Sequence, residues 1–525
     1  MKIYVTLHPK VFVMKRIVFV FILMVGMLPL EAQEITFTKD FESGSLDSVK
    51  FIGIDTLNSR YIYDVFSKKD PINPVDIKLA PSARWYYFKM SNANGKNIRL
   101  NIKNSDARRP FYSYDGESFS RFPKEACPDG KSIIYRYESD SVYIAYFVPY
   151  TYSRMLEKVA EWSKKSCVEV VSLGTSVQGR DMPLMIITDS SDAVSDIEKK
   201  RVYIHGRIHT SETPASWHLE KMIDIITDTT EYSTALRQNI VFYILPMTNP
   251  DGVVNGLSRS NINGVNLEIS YSQPDSLTQK EVANIKKFIC GETSDGKPFD
   301  MFLNMHSQSS NFMTYWLHTA ETSSKYFYKN LMILGNLTID SNPYFVKRNL
   351  SFSKMASKYL EGWFWDNFNE KTLAATFETP YTFYDKNPAG EWVSIENLQY
   401  AAMNNVYAIG DYFQIHNSVR MSLTEPSKGK KVSRKRDFRY LYFGNSYLVS
   451  RKPGAIVEYS AGFLSKGEYE VYRWVVGENL RVSAEGENEW KKVADYTQYD
   501  SGKFRYFLKS SGKGERFDNI LLLRK

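Results

Sequence analysis

The sequence predicts a three-part chain: an α/β region with a mixed, mainly parallel sheet covered by helices, flanked by N- and C-terminal β-sandwich domains. Three observations predict it. Between about residues 147 and 416, short apolar runs alternate with amphipathic stretches of helical period. Before and after that region, the pattern changes to short aromatic and β-branched runs separated by turn residues. At 525 residues the chain is too long for one ordinary core, so two or three domains are expected.

Residues 1–32 read as a secretory signal peptide. Lys15 and Arg16 precede an apolar run over 17–30, and Ala32 offers a small residue before a cut. The run is short for a bilayer span, and no other segment reads as transmembrane. The expectation is a secreted or periplasmic protein without stable membrane insertion.

Residues 33–146 form the first β domain in this reading. Runs at 83–90, 97–102 and 141–147 predict strands, with Asn94-Gly95 and Asp115-Gly116 as turns. In residues 147–416, strands are predicted at 201–205, 239–245, 300–305 and 372–377, and a helix at 215–227. Residues 417–525 form the second β domain, with strands at 438–443, 469–476, 504–508 and 520–523. The chain's 36 tyrosines fit this weight of β structure.

Composition excludes several classes. With 43% hydrophobic and 24% charged residues, the chain is globular rather than disordered. A net charge of +8 is mild at this length and identifies no polyanionic partner. The basic run 427–439 has one aromatic, Phe438, at its edge. It therefore lacks a stacking platform and reads as a solvated interdomain linker, not a nucleic-acid site. Cys127, Cys167 and Cys290 form no C-x-x-C pair, which argues against a cysteine zinc site or a disulfide scaffold and leaves room for one disulfide of unassigned pairing.

Four polar residues fall at the ends of predicted strands in the middle region. His209 and Glu212 follow the first, His306 caps the third and Glu378 ends the fourth. Ligands bind outside the carboxyl ends of strands in open α/β sheets. Two imidazoles and a carboxylate suit one zinc ion with a fourth position left open, and a further carboxylate suits proton transfer. His205 and His218 read as structural histidines, and Asn249-Pro250-Asp251-Gly252 as turn chemistry shaping the site. Arg207 either faces substrate or pairs with Asp251.

These residues carry a resemblance. The run Ile204-His-Gly-Arg-Ile-His209-Thr-Ser-Glu212-Thr213 resembles the first metal motif of the zinc carboxypeptidases. Asn249-Pro-Asp-Gly252, Arg259 and Asn263-Gly-Val-Asn-Leu267 resemble their second block, Phe302-Leu-Asn-Met-His306-Ser307 the third and Ala375-Thr-Phe-Glu378 the fourth. Pro110–Gly116 and Phe147–Tyr152 resemble the cytosolic carboxypeptidase subgroup, which has an N-terminal β domain. The resemblance implies one zinc per chain held by His209, Glu212 and His306. It further implies Glu378 as general base and Arg259 as stabiliser of the oxyanion. Tyr359 and Tyr381 are the candidates for the family's tyrosine that closes over substrate.

One departure stands out. Where the family has Asn-Arg, with the arginine gripping the substrate's terminal carboxylate, this chain has Glu268-Ile269. Glu268 and Ile269 are thus expected at an altered substrate contact. The leading expectation is a zinc peptidase acting on peptides or peptide-like substrates, with atypical recognition of the C-terminus. The rivals are a catalytically weak or inactive scaffold that binds peptides or glycans, and an amidohydrolase or esterase using the same chemistry.

Overall fold

The computed structural model describes residues 34–524 apart from 191–193, 196–197, 340–341, 385–389, 414, 416–419, 425, 436–446, 465–466, 476–488 and 500–501. The apolar run at 17–30, the strand expected at 438–443 and the basic residues Arg436 and Arg439 lie outside the described residues.

An eight-stranded sheet forms the middle of the chain. Its strands are β1 (Val168–Thr175), β2 (Asp181–Ile187), β3 (Lys200–Gly206), β4 (Ile240–Leu245), β5 (Met301–Gln308), β6 (Thr314–His318), β7 (Ser351–Ser353) and β8 (Leu373–Pro380), in the order β1-β2-β4-β3-β5-β8-β6-β7. The four central strands, β4, β3, β5 and β8, are parallel. They read as near-continuous Val, Ile, Leu, Met and Phe runs because both of their faces are covered.

The helices used below are α1 (Tyr152–Trp162), α2 (Thr213–Ile226), α3 (Glu231–Asn239), α4 (Lys280–Glu292), α5 (Lys325–Ile339), α6 (Leu360–Phe368) and α7 (Ile395–Tyr412). One face of the sheet is covered by α2, which packs on β5 and β8 and against α7. The other receives Phe288 of α4, which meets Tyr203, and Phe364 of α6, which stacks on Phe302 at 4.8 Å. Tyr203 and His205 on β3, and Phe302, Asn304 and His306 on β5, share that second face by the two-residue period of a strand. Register sets His205 beside Asn304, Asn304 beside Thr376, and His306 beside Glu378. β5 and β8 each run two residues or more past the ends read from sequence, so His306 and Glu378 are held by paired backbone.

Two sheets precede this region, of five and four strands, spanning Thr36–Thr38 to Val142–Ala145. Their buried residues join the same hydrophobic core as the central sheet. After it, antiparallel sheets of four, three and three strands surround a separate core containing Leu448, Val457, Tyr459, Val471 and Phe504. The basic run is not the linker that its charge suggested. Pro426–Lys430 and Val432–Lys435 are strands at the edges of two of these sheets. Lysines on an edge strand stay solvated while the backbone pairs on one side, so the charge density is compatible with β structure. Cys127, Cys167 and Cys290 are all free thiols. No helix among the described residues is long and apolar enough to cross a membrane.

The N-terminal sheets are fastened to the α/β region by buried polar contacts. Asp70 accepts the backbone N–H groups of Ser258, Arg259 and Ser260 at 2.6, 2.8 and 2.9 Å. Arg121 donates to the carbonyls of Tyr381 and Val393 at 3.0 and 2.7 Å. Gly256 sits at φ +62, and a Cβ there would lie 2.3 Å from the carbonyl oxygen of Gly44. Neither the left-handed conformation nor the contact tolerates a side chain. Gly256→Ala is therefore expected to lower the apparent thermal unfolding midpoint by several degrees; an unchanged midpoint would show that this junction carries no strain.

Candidate functional site

The loop between β3 and α2 carries the first two polar residues of the site. Arg207 takes a left-handed φ of 59, which turns the chain so that His209 faces inward. Glu212 occupies the N-cap position of α2, yet its side chain caps nothing. Instead Pro214 supplies a donor-free first turn, and the N–H of Ala215 is taken by Ser307 Oγ at 2.9 Å. The carboxylate of Glu212 is thereby released to other partners. Its Oε1 lies 2.8 Å from His209 Nδ1, and its Oε2 lies 2.9 Å from His306 Nδ1 and accepts the N–H of Ser307 at 3.0 Å.

His209, Glu212 and His306 are all buried, and one donor atom from each lies within 4.8 Å of the others. Burial lowers the pKa of His209, against the pull of Glu212. Burial also opposes the charge on Glu212, but the two imidazoles beside it hold its carboxyl well below the ordinary range. The far nitrogens of both rings are anchored. His209 Nε2 meets Asn266 Oδ1 at 3.1 Å, and His306 Nε2 meets Glu268 Oε2 at 3.2 Å. Anchoring Nε2 leaves each Nδ1 directed at the space beside Glu212, an arrangement that orients imidazoles for a metal. Two imidazole nitrogens and one carboxylate form a donor set that zinc accepts with a position to spare.

Glu378 stands next to this group. Its Oε1 accepts the indole N–H of Trp316 at 3.2 Å, and its buried Oε2 has no hydrogen-bond partner. Burial raises its pKa to about 7. A cavity of ≈ 410 Å³ opens over these residues, lined among others by Arg259, Glu268, Tyr359 and Glu361. Arg259 is half-exposed, with Nη1 4.0 Å from Glu212 Oε1, and its backbone is fixed by Asp70. Asn249 ties the surrounding loops together, donating to the carbonyls of Ile208 and Ser260 while capping the short helix Pro250–Val254.

Three expected substrate contacts are placed differently. Arg207 is buried away from the cavity, with its guanidinium donating to the carbonyls of Thr210 and Tyr150 and to Ser216 Oγ. It does not pair with Asp251, which accepts from Ser176, Gln178 and Arg180. The inward turn at residue 207 buries the side chain, and only backbone and hydroxyl acceptors are there to meet it. Ile269 is half-buried and does not line the cavity, whereas Glu268 does. Its carboxylate is engaged, accepting from Asn304 Nδ2 at 3.1 and 3.3 Å as well as meeting His306. Tyr381 is buried against Tyr146, so Tyr359 is the tyrosine on the cavity wall. His205 lies within β3 facing Asn304, and His218 is buried in α2 beside Phe377. Sequence reasoning missed Asp70, Asn266, Asn304, Trp316 and Glu361.

Comparison with known proteins agrees with this geometry. Residues 152–367 match the family described as Zinc carboxypeptidase, and residues 37–147 match that described as Cytosolic carboxypeptidase N-terminal domain. The chain thus carries a zinc carboxypeptidase domain preceded by a cytosolic carboxypeptidase N-terminal domain. It is 28% identical over 301 residues to Cytosolic carboxypeptidase 6 of Mus musculus, covering 53% of this chain and 54% of that protein. It is 24% identical over 339 residues to Cytosolic carboxypeptidase 1 of Danio rerio, covering 55% and 28%. The chain spans about half the length, 54% and 56%, of the mouse and human Cytosolic carboxypeptidase 6 proteins. A metallo-carboxypeptidase structure from Burkholderia cenocepacia shares the fold at a TM-score of 0.60 and 23% identity, over 72% of this chain and 98% of that one.

These relatives overturn the secreted or periplasmic localisation, since the curated proteins of this kind are named cytosolic carboxypeptidases. A basic pair before a short apolar run is a hydropathy pattern alone and does not outweigh them. The family's cofactor is one zinc ion, and the His209, Glu212 and His306 group fits it. Purified protein is expected to hold about one zinc per chain, and His306→Ala to lose it. Glu268→Gln is expected to weaken zinc about 10–100-fold by loosening the far side of His306; affinity unchanged in chelator competition would separate Glu268 from the metal group.

Proposed function

We propose that the chain is a zinc-dependent metallopeptidase of the carboxypeptidase type, with His209, Glu212 and His306 as ligands and Glu378 as general base. The observation that carries this reading is the unpartnered Oε2 of Glu378 in the same cavity as the three-residue donor group. Zinc held there supplies Lewis acidity, polarising a substrate carbonyl and making water acidic enough to deprotonate near neutral pH.

The chain's own residues do the rest. Glu378 Oε2 accepts a proton from the attacking water as its oxygen bonds to the carbonyl carbon. The carbon–nitrogen bond then breaks, and the same proton passes from Glu378 to the leaving amine. Arg259, which lines the cavity with Nη1 4.0 Å from Glu212 Oε1, faces the oxygen on which charge develops. Tyr359 on the wall and Trp316 behind Glu378 limit water around the reacting atoms.

Recognition of the substrate's end differs from the usual pattern. Ile269 offers no bidentate grip on a carboxylate, and Glu268 is committed to His306 and Asn304. The cavity's cations are Arg84, Arg259 and Lys354, so a terminal carboxylate is met by these. A scaffold that only binds peptide or glycan has no use for a buried carboxylate oxygen, Glu378 Oε2, left without a partner beside a complete ligand set.

Glu378→Gln is expected to keep its zinc and lose about 10²–10⁴-fold in turnover of a peptide substrate. Full activity in zinc-loaded Glu378→Gln would remove the mechanism. The base works only when ionised, and burial raises its pKa to about 7. Activity should therefore fall as pH drops through this region, and bound zinc should shift the acidic limb to lower pH by favouring the carboxylate. Absence of any acidic limb in kcat/KM would count against Glu378 as the base.

A further inference from the structure

One loop of the N-terminal region is built rigidly yet turns its apolar side chains to water. Residues 71–81 leave the fold at Asp70 and return at Ser82, and the N–H of Asp70 donates to the carbonyl of Ser82 at 2.7 Å, closing the loop at its neck. Asn73, 7% exposed, accepts the N–H groups of Val75 and Asp76 at 2.9 and 3.2 Å, and Asp76 accepts the N–H of Lys78 at 3.1 Å. Pro71, Pro74 and Pro81 fix φ at three further positions. Against this stiff frame Ile72 is 66% exposed, Val75 45%, Ile77 77% and Leu79 41%. Aliphatic side chains clustered in this way form a patch, and an exposed apolar patch on an ordered loop marks a contact surface.

The loop stands beside the cavity. Its neck residue Asp70 holds the backbone of Ser258, Arg259 and Ser260, and Arg84, just beyond Ser82, lines the cavity. A Cβ on Gly264 would lie 2.5 Å from the carbonyl oxygen of Ile72, so the loop rests on the turn that leads to Asn266. In the mechanism above, the residue to be released occupies the cavity, and the chain on the acyl side of the cut leaves past the half-exposed Arg259. We propose that residues 71–81 are a docking surface for the substrate's own chain, which lays an aliphatic stretch preceding the cleaved bond against Ile72, Val75, Ile77 and Leu79. The proposal rests on the peptidase reading and extends it: the substrates are polypeptides engaged over several residues upstream of the cut. The loop carries one acid, Asp76, and one base, Lys78, so it presents no net charge to an anionic lipid surface, and apolar burial is what it offers a partner.

The test uses the full-length, zinc-loaded protein and octapeptides identical in their last two residues, with the six upstream positions rich either in leucine or in glycine and serine. The leucine-rich peptide is expected to exceed the other in kcat/KM by at least about tenfold, carried mainly by KM, the weight of one aliphatic side chain buried on each side. Ile77→Ser should reduce that ratio several-fold; Ile77 is the most exposed of the four, so the fold does not depend on it. A wild-type ratio near one overturns the proposal, as does an unchanged ratio in Ile77→Ser. Sedimentation of the wild-type protein as a dimer that Ile77→Ser dissociates would assign the patch to a second copy of this chain and overturn it too, as would Ile77-dependent binding to phosphatidylcholine vesicles. If neither peptide is hydrolysed, the peptidase reading fails separately. Fluorescence anisotropy of the two labelled peptides then decides the inference: tighter binding of the leucine-rich one, weakened by Ile77→Ser, upholds the docking surface, and equal binding refutes it.

Discussion

Parallel pairing of β5 with β8 sets His306 opposite Glu378 on one face of the sheet, and the other parts of the site are fitted to that pair. Neighbouring parallel strands hold such residues about 4.8 Å apart with no freedom to drift. The loop after β3 then needs to bring only His209 and Glu212 to the same place. It does so through the turn at Arg207, whose buried guanidinium bonds to backbone at both Thr210 and Tyr150. Rigid strands thus provide two of the groups, and a tightly pinned loop provides the other two.

Electrostatics explains why so much polar structure surrounds so few ligands. Glu212, Glu268 and Glu361 are buried around two imidazoles with the half-buried Glu378 beside them, a concentration of acid that an apolar core does not tolerate alone. Hydrogen bonds from Ser307, Asn304 and Trp316 satisfy part of it. A divalent cation between His209, Glu212 and His306 offsets more, which makes metal binding and local stability one equilibrium. The N-terminal sheets take part as well, because Asp70 reaches across to fix the backbone of Arg259.

Much of this was legible in the chain itself. His209, Glu212, His306 and Glu378 stood out because chemically apt residues followed separate apolar runs, and strand ends are positions that periodicity locates. Arg207 was misread because its burial depends on a backbone turn that no local pattern announces. Glu268 was expected to face substrate, and its engagement with His306 and Asn304 depends on how a short 3-10 turn packs against β5. Asp70 lies in a loop more than a hundred residues from the arginine it positions, so only tertiary structure joins them. Glu361 had a faint signal: an acid flanked by Leu360 and Phe364 on the buried side of a helix, which reads equally as an ordinary helix start.

The most direct measurement is anomalous diffraction at the zinc edge from crystals of the zinc-loaded protein. The account predicts one peak, bounded by Nδ1 of His209, Nδ1 of His306 and the carboxylate of Glu212, with Glu378 adjacent and not a ligand. A peak elsewhere, or one held through Nε2 of either histidine, would contradict it.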